Sequence, residues 1–189
     1  MAESGAQLAI QPNRGLPSGS SGHPDPNRHG TIHCGEHKFM ASQLHYLTVQ
    51  DILWINLQVT EKVQHFSFAK LEEATYYQYA YGESRNIARQ AARFLTGFPR
   101  MSPLDCGNEA TAFIGCLTFL QINGLSIELQ DAQGAEWLQS VLSKKVDAET
   151  AINSIAKPSV HHQGSTDVRA TIKGLLSEFA CTLLALTKA

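Results

Sequence analysis

Between Asn108 and Gly124 the chain carries an apolar run with no polar face. Ala112, Phe113, Ile114, Cys116, Leu117, Phe119 and Leu120 follow one another so closely that a helix through them is hydrophobic nearly all round. Such a helix must be surrounded, either by protein or by lipid. The run 112–122 is shorter than the ~20 residues a bilayer crossing needs, and it contains Thr118 and Gln121. The remaining solution is a central helix enclosed by others and closed by Asn123-Gly124. A chain of 189 residues with 43% hydrophobic and 17% charged residues is long enough to build that enclosure as one domain. The expected fold class is therefore mainly α, a compact helical bundle with at most a small β-hairpin flap.

The flanking sequence supplies the other helices. Thr48-Val49-Gln50-Asp51 is a capping-box pattern that opens a helix through Ile52, Leu53, Trp54, Ile55, Leu57 and Val59. Residues 63–68 alternate weakly and read as a hairpin or a loop. Leu71, Ala74, Tyr77 and Tyr81 recur at helical spacing before Gly82. A further helix buries Ile87, Ala88, Ala91, Phe94, Leu95 and Phe98, with Pro99 and Pro103 bracketing its end. Leu125, Ile127 and Leu129 alternate as a brief strand would. Helices are expected over 133–143, over 147–156 with an Asp cap, and over 165–187 as a single element. Residues 1–40 hold four of the seven prolines and a Ser/Gly run, which reads as a flexible N-terminal tail ahead of a helical domain over 41–189.

Composition excludes several classes of function. A net charge of −2 gives no footprint for nucleic acid. No segment reads as a membrane span or a signal peptide, so no membrane association is expected. Cys34, Cys106, Cys116 and Cys181 are too widely spaced for a disulfide framework, which points to the reducing cytoplasm. His23, His29, His33, Cys34 and His37 are imidazole and thiol ligands in type, yet their spacing fits no closed tetrahedral site, and no metal is expected. Tyr76, Tyr77, Tyr79 and Tyr81 divide between core packing and an exposed partner surface.

The stretch 94–124 carries the most information. A helix leads into Ser102-Pro103-Leu104-Asp105-Cys106-Gly107-Asn108, and this loop runs directly into the central helix, which ends Phe119-Leu120-Gln121-Ile122-Asn123-Gly124. Gly107-Asn108 at a helix N-terminus reads either as an anion cradle or simply as a good helix cap. In order, spacing and flanking helices, residues 46–129 resemble the Fic/Doc (Fido) family. Its loop reads His-Pro-Phe-x-(Asp/Ala)-Gly-Asn-(Lys/Gly)-Arg, and its central helix often ends Phe-Leu-x-x-Asn-Gly. The resemblance implies transfer of a nucleotide or phosphoryl group to a protein hydroxyl. The loop His would act as base, an acidic residue would hold Mg²⁺, and the Arg with the helix N-terminus would bind phosphates. Residues 63–68 would be a flap that holds target peptides.

Measured against that pattern, Ser102 replaces the base, and a hydroxyl does not accept a proton near neutral pH. Cys106 replaces the metal ligand, and a thiol is a poor ligand for a hard cation. Ala110 replaces the phosphate-binding Arg, and Glu109 adds a negative charge beside the phosphate site. Pro103, Gly107 and Asn108 are kept, with Leu104 in place of Phe. Losing a general base costs about 10²- to 10⁴-fold, and losing charge stabilisation about 10²- to 10³-fold more. The expectation is a catalytically degenerate member with no catalytic residues and no cofactor, acting as a binding or regulatory module. It would grip a protein or peptide through the 63–68 flap by strand addition, or pair with a second copy or an active relative. The competing reading is a nucleotidyl- or phosphoryl-transferase of altered chemistry. It would hold ATP or another nucleotide with Mg²⁺ on Gly107 and Asn108, with Asp105, Cys106 or Ser102 in new roles; Ser102 as a nucleophile would need a partner base, and the sequence places neither His65 nor His161 beside it. The family analogy also brings a toxin–antitoxin component as a third reading.

Overall fold

The apolar run does become the central helix. In the structure, a computed structural model that describes residues 44–79, 86–159 and 167–188, α4 spans Asn108–Ile122 and is buried continuously from Ala110 to Leu120. Around it in chain order lie α1 (Val49–Thr60), α2 (Phe68–Tyr76), α3 (Ile87–Met101), α5 (Asp131–Leu142), α6 (Ala148–Ile155), α7 (Val168–Glu178) and α8 (Ala180–Thr187). The fold is mainly α. Among the described residues, one small sheet pairs β1 (Leu125–Ile127) with β2 (Ala156–Pro158) antiparallel, Ser126 facing Lys157. No single described helix is long and apolar enough to cross a membrane; only α7 and α8 together pass that test, and they are bent by 78°.

Local signals set the helix starts. The capping box forms as its residue types require: the Thr48 hydroxyl accepts from the Asp51 N–H at 3.2 Å, and the Asp51 carboxylate accepts from the Thr48 N–H at 3.0 Å. Asp147 caps α6 by accepting from the Thr150 N–H at 2.9 Å. Asn86 caps α3 in the same way through the Arg89 N–H. Helix α3 is strongly two-faced: Ala91, Phe94, Leu95 and Phe98 are buried against α4, and Arg89, Arg93 and Arg100 face solvent. Pro99 sits inside the last turn of α3, and the helix stops at Ser102.

Several expectations are corrected. The helix expected to reach Tyr81 ends at Tyr76, and Tyr81 and Gly82 lie outside the described residues. So do the N-terminal tail with its histidines and Cys34, and the His161-His162 pair. Helix α1 is less enclosed than its composition suggests, because Leu57 stands exposed. The single helix expected over 165–187 is two helices broken at Phe179. Its ring is fully buried, edge-on to Phe113 with centroids 5.3 Å apart, and its backbone leaves the helical region (φ −107, ψ 34). The break frees N–H groups at the start of α8, and Asp131 of α5 accepts two of them, from Cys181 at 2.9 Å and Thr182 at 2.8 Å. A cap supplied by another helix thus offsets the lost helical hydrogen bonds.

The chain leading into α1 is held by side-chain amides. Asn123 accepts from the His45 N–H at 2.8 Å and donates to the His45 carbonyl at 2.9 Å. Gln78, almost fully buried, does the same for Leu47, both bonds 2.7 Å. Residues two apart in extended backbone direct their N–H and C=O to one edge, so these two amides stand in for a neighbouring strand. Between them, Tyr46 stacks on Tyr79 with centroids 4.0 Å apart and on Phe119 at 5.8 Å. Burial, then the neighbouring phenols of Tyr46 and Tyr76, raise the pKa of Tyr79.

Two predictions follow from the α5–α8 contact. A Cβ on Gly134 would run into the Thr182 hydroxyl, which donates to the Asp131 carbonyl at 2.7 Å. Gly134→Ala should therefore destabilise the fold by about 1–3 kcal/mol through overpacking, although alanine favours a helix by about 1 kcal/mol; chemical denaturation measures the balance. Burial pushes the Asp131 carboxyl up, but the hydrogen bonds from Thr182 and Cys181 outweigh it and leave its pKa below the usual carboxylate value. Its contribution to stability is therefore present above the unfolded pKa of about 3.9 and is lost as pH falls through the lower folded value. Denaturation midpoints followed from neutral pH downwards should drop less in Asp131→Asn than in the wild type.

Candidate functional site

The loop between α3 and α4 is built to hold its shape, and its Ser102 and Asn108 side chains are bonded to backbone within the protein. Pro103 and Leu104 are buried, while Ser102, Asp105 and Cys106 are exposed. Ser102 closes α3 in the left-handed region (φ 43), and its hydroxyl donates to the Pro99 carbonyl at 2.9 Å. Asn108 turns its amide back on the loop. It donates to the Leu104 carbonyl at 2.7 Å and accepts from the Leu104 N–H at 3.1 Å. Asn56 of α1, itself buried, donates to the Cys106 carbonyl and to the Thr111 hydroxyl, both at 3.0 Å.

Gly107 is required twice over. Its φ of 73 is costly for other residues, and a Cβ there would lie 2.6 Å from the Thr60 methyl and 3.0 Å from the Asn56 amide nitrogen. Thr60 is fixed in turn, donating its hydroxyl to the carbonyls of Asn56 (2.8 Å) and Lys62 (3.0 Å). The Glu109 carboxylate accepts from the Gln139 amide at 2.7 Å and so ties the first turn of α4 to α5. Ala110 is fully buried. Among the described residues, the N–H groups of Asn108, Glu109 and Ala110 have no acceptor, as expected for the first turn of a helix.

Residues 65–67 lie against this loop. Phe66 pairs with Leu104 in a lone antiparallel bridge. The Ser67 N–H donates to the Pro103 carbonyl at 3.0 Å, and the Asp105 N–H donates to the His65 carbonyl at 3.2 Å. The segment is thus extended and runs beside the loop, with no hairpin of its own. The hydrogen bonds flank the Phe66–Leu104 pair, so these two residues turn their own N–H and C=O groups to opposite outer edges. On the loop side, the Asn108 amide occupies that edge. On the Phe66 side, neither group has a partner among the described residues.

Of the residues singled out from sequence, the structure brings His65 beside Asp105 and leaves Ser102 three register positions away with its hydroxyl already bonded. His161 is outside the described residues. Among the described residues no group of three or more His, Cys, Asp or Glu side chains is placed to hold a metal. Cys106, Cys116 and Cys181 are free; burial raises the pKa of the Cys116 thiol, and a hydrogen bond to Asp131 raises that of Cys181.

Two concavities flank the 62–66 segment. A cleft of about 740 Å³ opens between Cys106-Gly107, the end of α1 and the apolar wall of α7 and α8. A smaller groove of about 410 Å³ lies between α1 and the segment, lined chiefly by Leu53, Trp54, Leu57, Val63 and Phe66. Sequence reading missed this groove, the Asn56 and Gln78 amides, and Arg169, whose guanidinium stacks 4.4 Å over the Trp54 ring. One signal was present for Asn56, a lone amide within an apolar stripe, which when buried has to be satisfied by something. No family model, no curated protein and no solved structure matches the chain significantly.

The doubly bonded Asn108 amide gives a stability prediction. Asn108→Ala should cost about 1–3 kcal/mol, because it leaves the N–H and C=O of buried Leu104 without partners. Chemical denaturation should show it, and an unchanged midpoint would mean that the loop keeps its shape without the clamp.

Proposed function

We propose that the chain is a non-catalytic binding module on a Fic/Doc-like helical scaffold, and that it receives an extended peptide along residues 63–66. The observation that carries this reading is the free outer edge at Phe66. A peptide strand laid there would find an N–H and a C=O ready to pair, with Gln64 on the same edge by alternation. The inner edge is already fixed to the loop, so the receiving strand is rigid before the peptide arrives.

The bonding of the loop supports the non-catalytic half of the proposal. The retained family residues all serve the fold, since Asn108 clamps Leu104 and Gly107 passes under Thr60. Among the replaced positions, Ser102 caps α3 and Ala110 packs in the core. The free thiols fit a reducing, cytoplasmic setting.

The test separates backbone pairing from side-chain contact. Peptides selected from a random displayed library should bind the wild type. They should bind Phe66→Ala more weakly and Phe66→Pro not at all, because proline removes the outward N–H while the bonds at His65 and Ser67 are left in place. Equal binding by the two variants would sink strand addition.

The 740 Å³ cleft beside Gly107 favours a second reading, a transferase of altered chemistry that holds a nucleotide. Calorimetric titration with ATP, GTP and CTP plus Mg²⁺ decides between them. Asn108 is unsuitable as the probe residue, because its loss disturbs the loop, so Lys62→Ala at the cleft rim serves instead. The binding-module reading expects no heat; micromolar binding weakened by Lys62→Ala would favour the transferase.

A further inference from the structure

Resting on the reading that residues 63–66 receive an extended peptide, we propose the chemistry of that peptide: acidic, with apolar side chains at alternate positions. The apolar side chains seat in the groove between α1 and the 63–66 segment, and the carboxylates face Lys62 and Arg169.

The apolar part follows from what the groove exposes. Leu57 is 37% exposed, Val63 87% and Phe66 42%, all lining the groove, and with Phe68, outside its lining, four of the seven exposed large hydrophobics among the described residues fall within one short stretch of chain. Clustered exposure of this kind marks interaction surfaces, whereas isolated apolar residues do not. A strand sends every second side chain to the same face, roughly 7 Å apart. A peptide paired along the Phe66 edge therefore lays one set of alternate side chains over Leu53, Trp54 and Leu57, and the other set, directed out of the groove, is met at its mouth by the long side chains of Lys62 and Arg169. A groove of about 410 Å³ accommodates such side chains without rearrangement.

The acidic part follows from charge. The residues lining the groove include two cations, Lys62 and Arg169, and no acid, in a chain whose net charge is −2. Among the described residues, Lys62 has no ion-pair partner. Arg169 is held flat on Trp54 by stacking at 4.4 Å, and its ion pair with Asp51 is long at 3.7 Å. Stacking fixes the guanidinium plane and leaves nitrogen donors for a guest carboxylate. A second copy of this chain suits the site less well, because edge-to-edge pairing would bring another Lys62 to the same strip.

The experiment uses the full chain and two synthetic peptides, one alternating leucine with aspartate and one alternating leucine with lysine, read by fluorescence anisotropy. The acidic peptide should bind about tenfold tighter than the basic one at low salt, and the preference should shrink as salt rises. Lys62→Glu should cancel or reverse the preference, and Leu57→Glu should weaken both peptides. Circular dichroism melts confirm that the variants fold. Binding that Phe66→Pro abolishes but that shows no charge preference would overturn this inference and leave strand addition standing. A charge preference that survives Phe66→Pro would overturn strand addition and keep the acidic ligand. No binding of either peptide would overturn both. Retention on anionic lipid vesicles, lost in Lys62→Glu, would assign the strip to a membrane surface and overturn the peptide proposal.

Discussion

Everything in this fold answers to the burial of α4. A helix with no polar face cannot be satisfied by one partner, so α1, α3 and α7 each cover part of it, while α8 and β1 close what is left. Its two buried hydroxyls both have partners. Thr118 donates to the Ile114 carbonyl at 2.7 Å within the helix, and Thr111 accepts from Asn56 of α1. The second link ties the packing of the core to the loop, because the same Asn56 amide also holds the Cys106 carbonyl. The loop's position is therefore set from beneath by core packing and does not depend on its exposed residues.

A recurring device lies around that core. Asn123, Gln78 and Asn108 each use a side-chain amide to hold both the N–H and the C=O of one extended residue: His45, Leu47 and Leu104. A helical bundle has little sheet in which to pair extended backbone, and unpaired backbone groups are costly once buried. An amide has the donor and acceptor geometry of a peptide group, so it replaces a strand at single positions. The stretch around Phe66 is the exception. There the loop supplies one edge and nothing in the described protein supplies the other.

The sequence made the helices legible where periodicity and capping agreed. The Thr48–Asp51 box, the Asp147 cap and the all-apolar run at 112–122 each found the element they implied. It misled where the deciding contact is tertiary. Nothing local breaks the stripe through Ile172, Leu175, Phe179 and Leu183; the bend depends on Phe179 reaching Phe113 and on Asp131 capping from α5, fifty residues earlier in the chain. Likewise, residues 63–68 carry almost no pattern of their own, because the extended form of 65–67 is dictated by pairing with Pro103 and Asp105 and Phe68 already opens α2. The position of the loop was readable; the direction of its side chains was not.

That last distinction decides how much the motif itself can mean. Gly-Asn at the head of a buried helix suggests an anion cradle, and the N–H groups there do face away from the helix. Yet each residue has a sufficient reason to be present without any ligand. Glycine is demanded by a φ of 73 and by the Thr60 methyl lying against it, and asparagine by the two polar groups of buried Leu104. Phosphate recognition would need more than these two, namely a cation fixed beside the helix start. At that point the chain has Ala110 in the core and Glu109 bonded to Gln139. Lys62 lines both the cleft beside Gly107 and the apolar groove on the other side of residues 63–66, and Arg169 lines the groove alone. Charge and apolar exposure coincide in that groove, next to the backbone edge that the loop leaves open at Phe66, and it is on this segment, not on the motif, that the proposed binding reading rests.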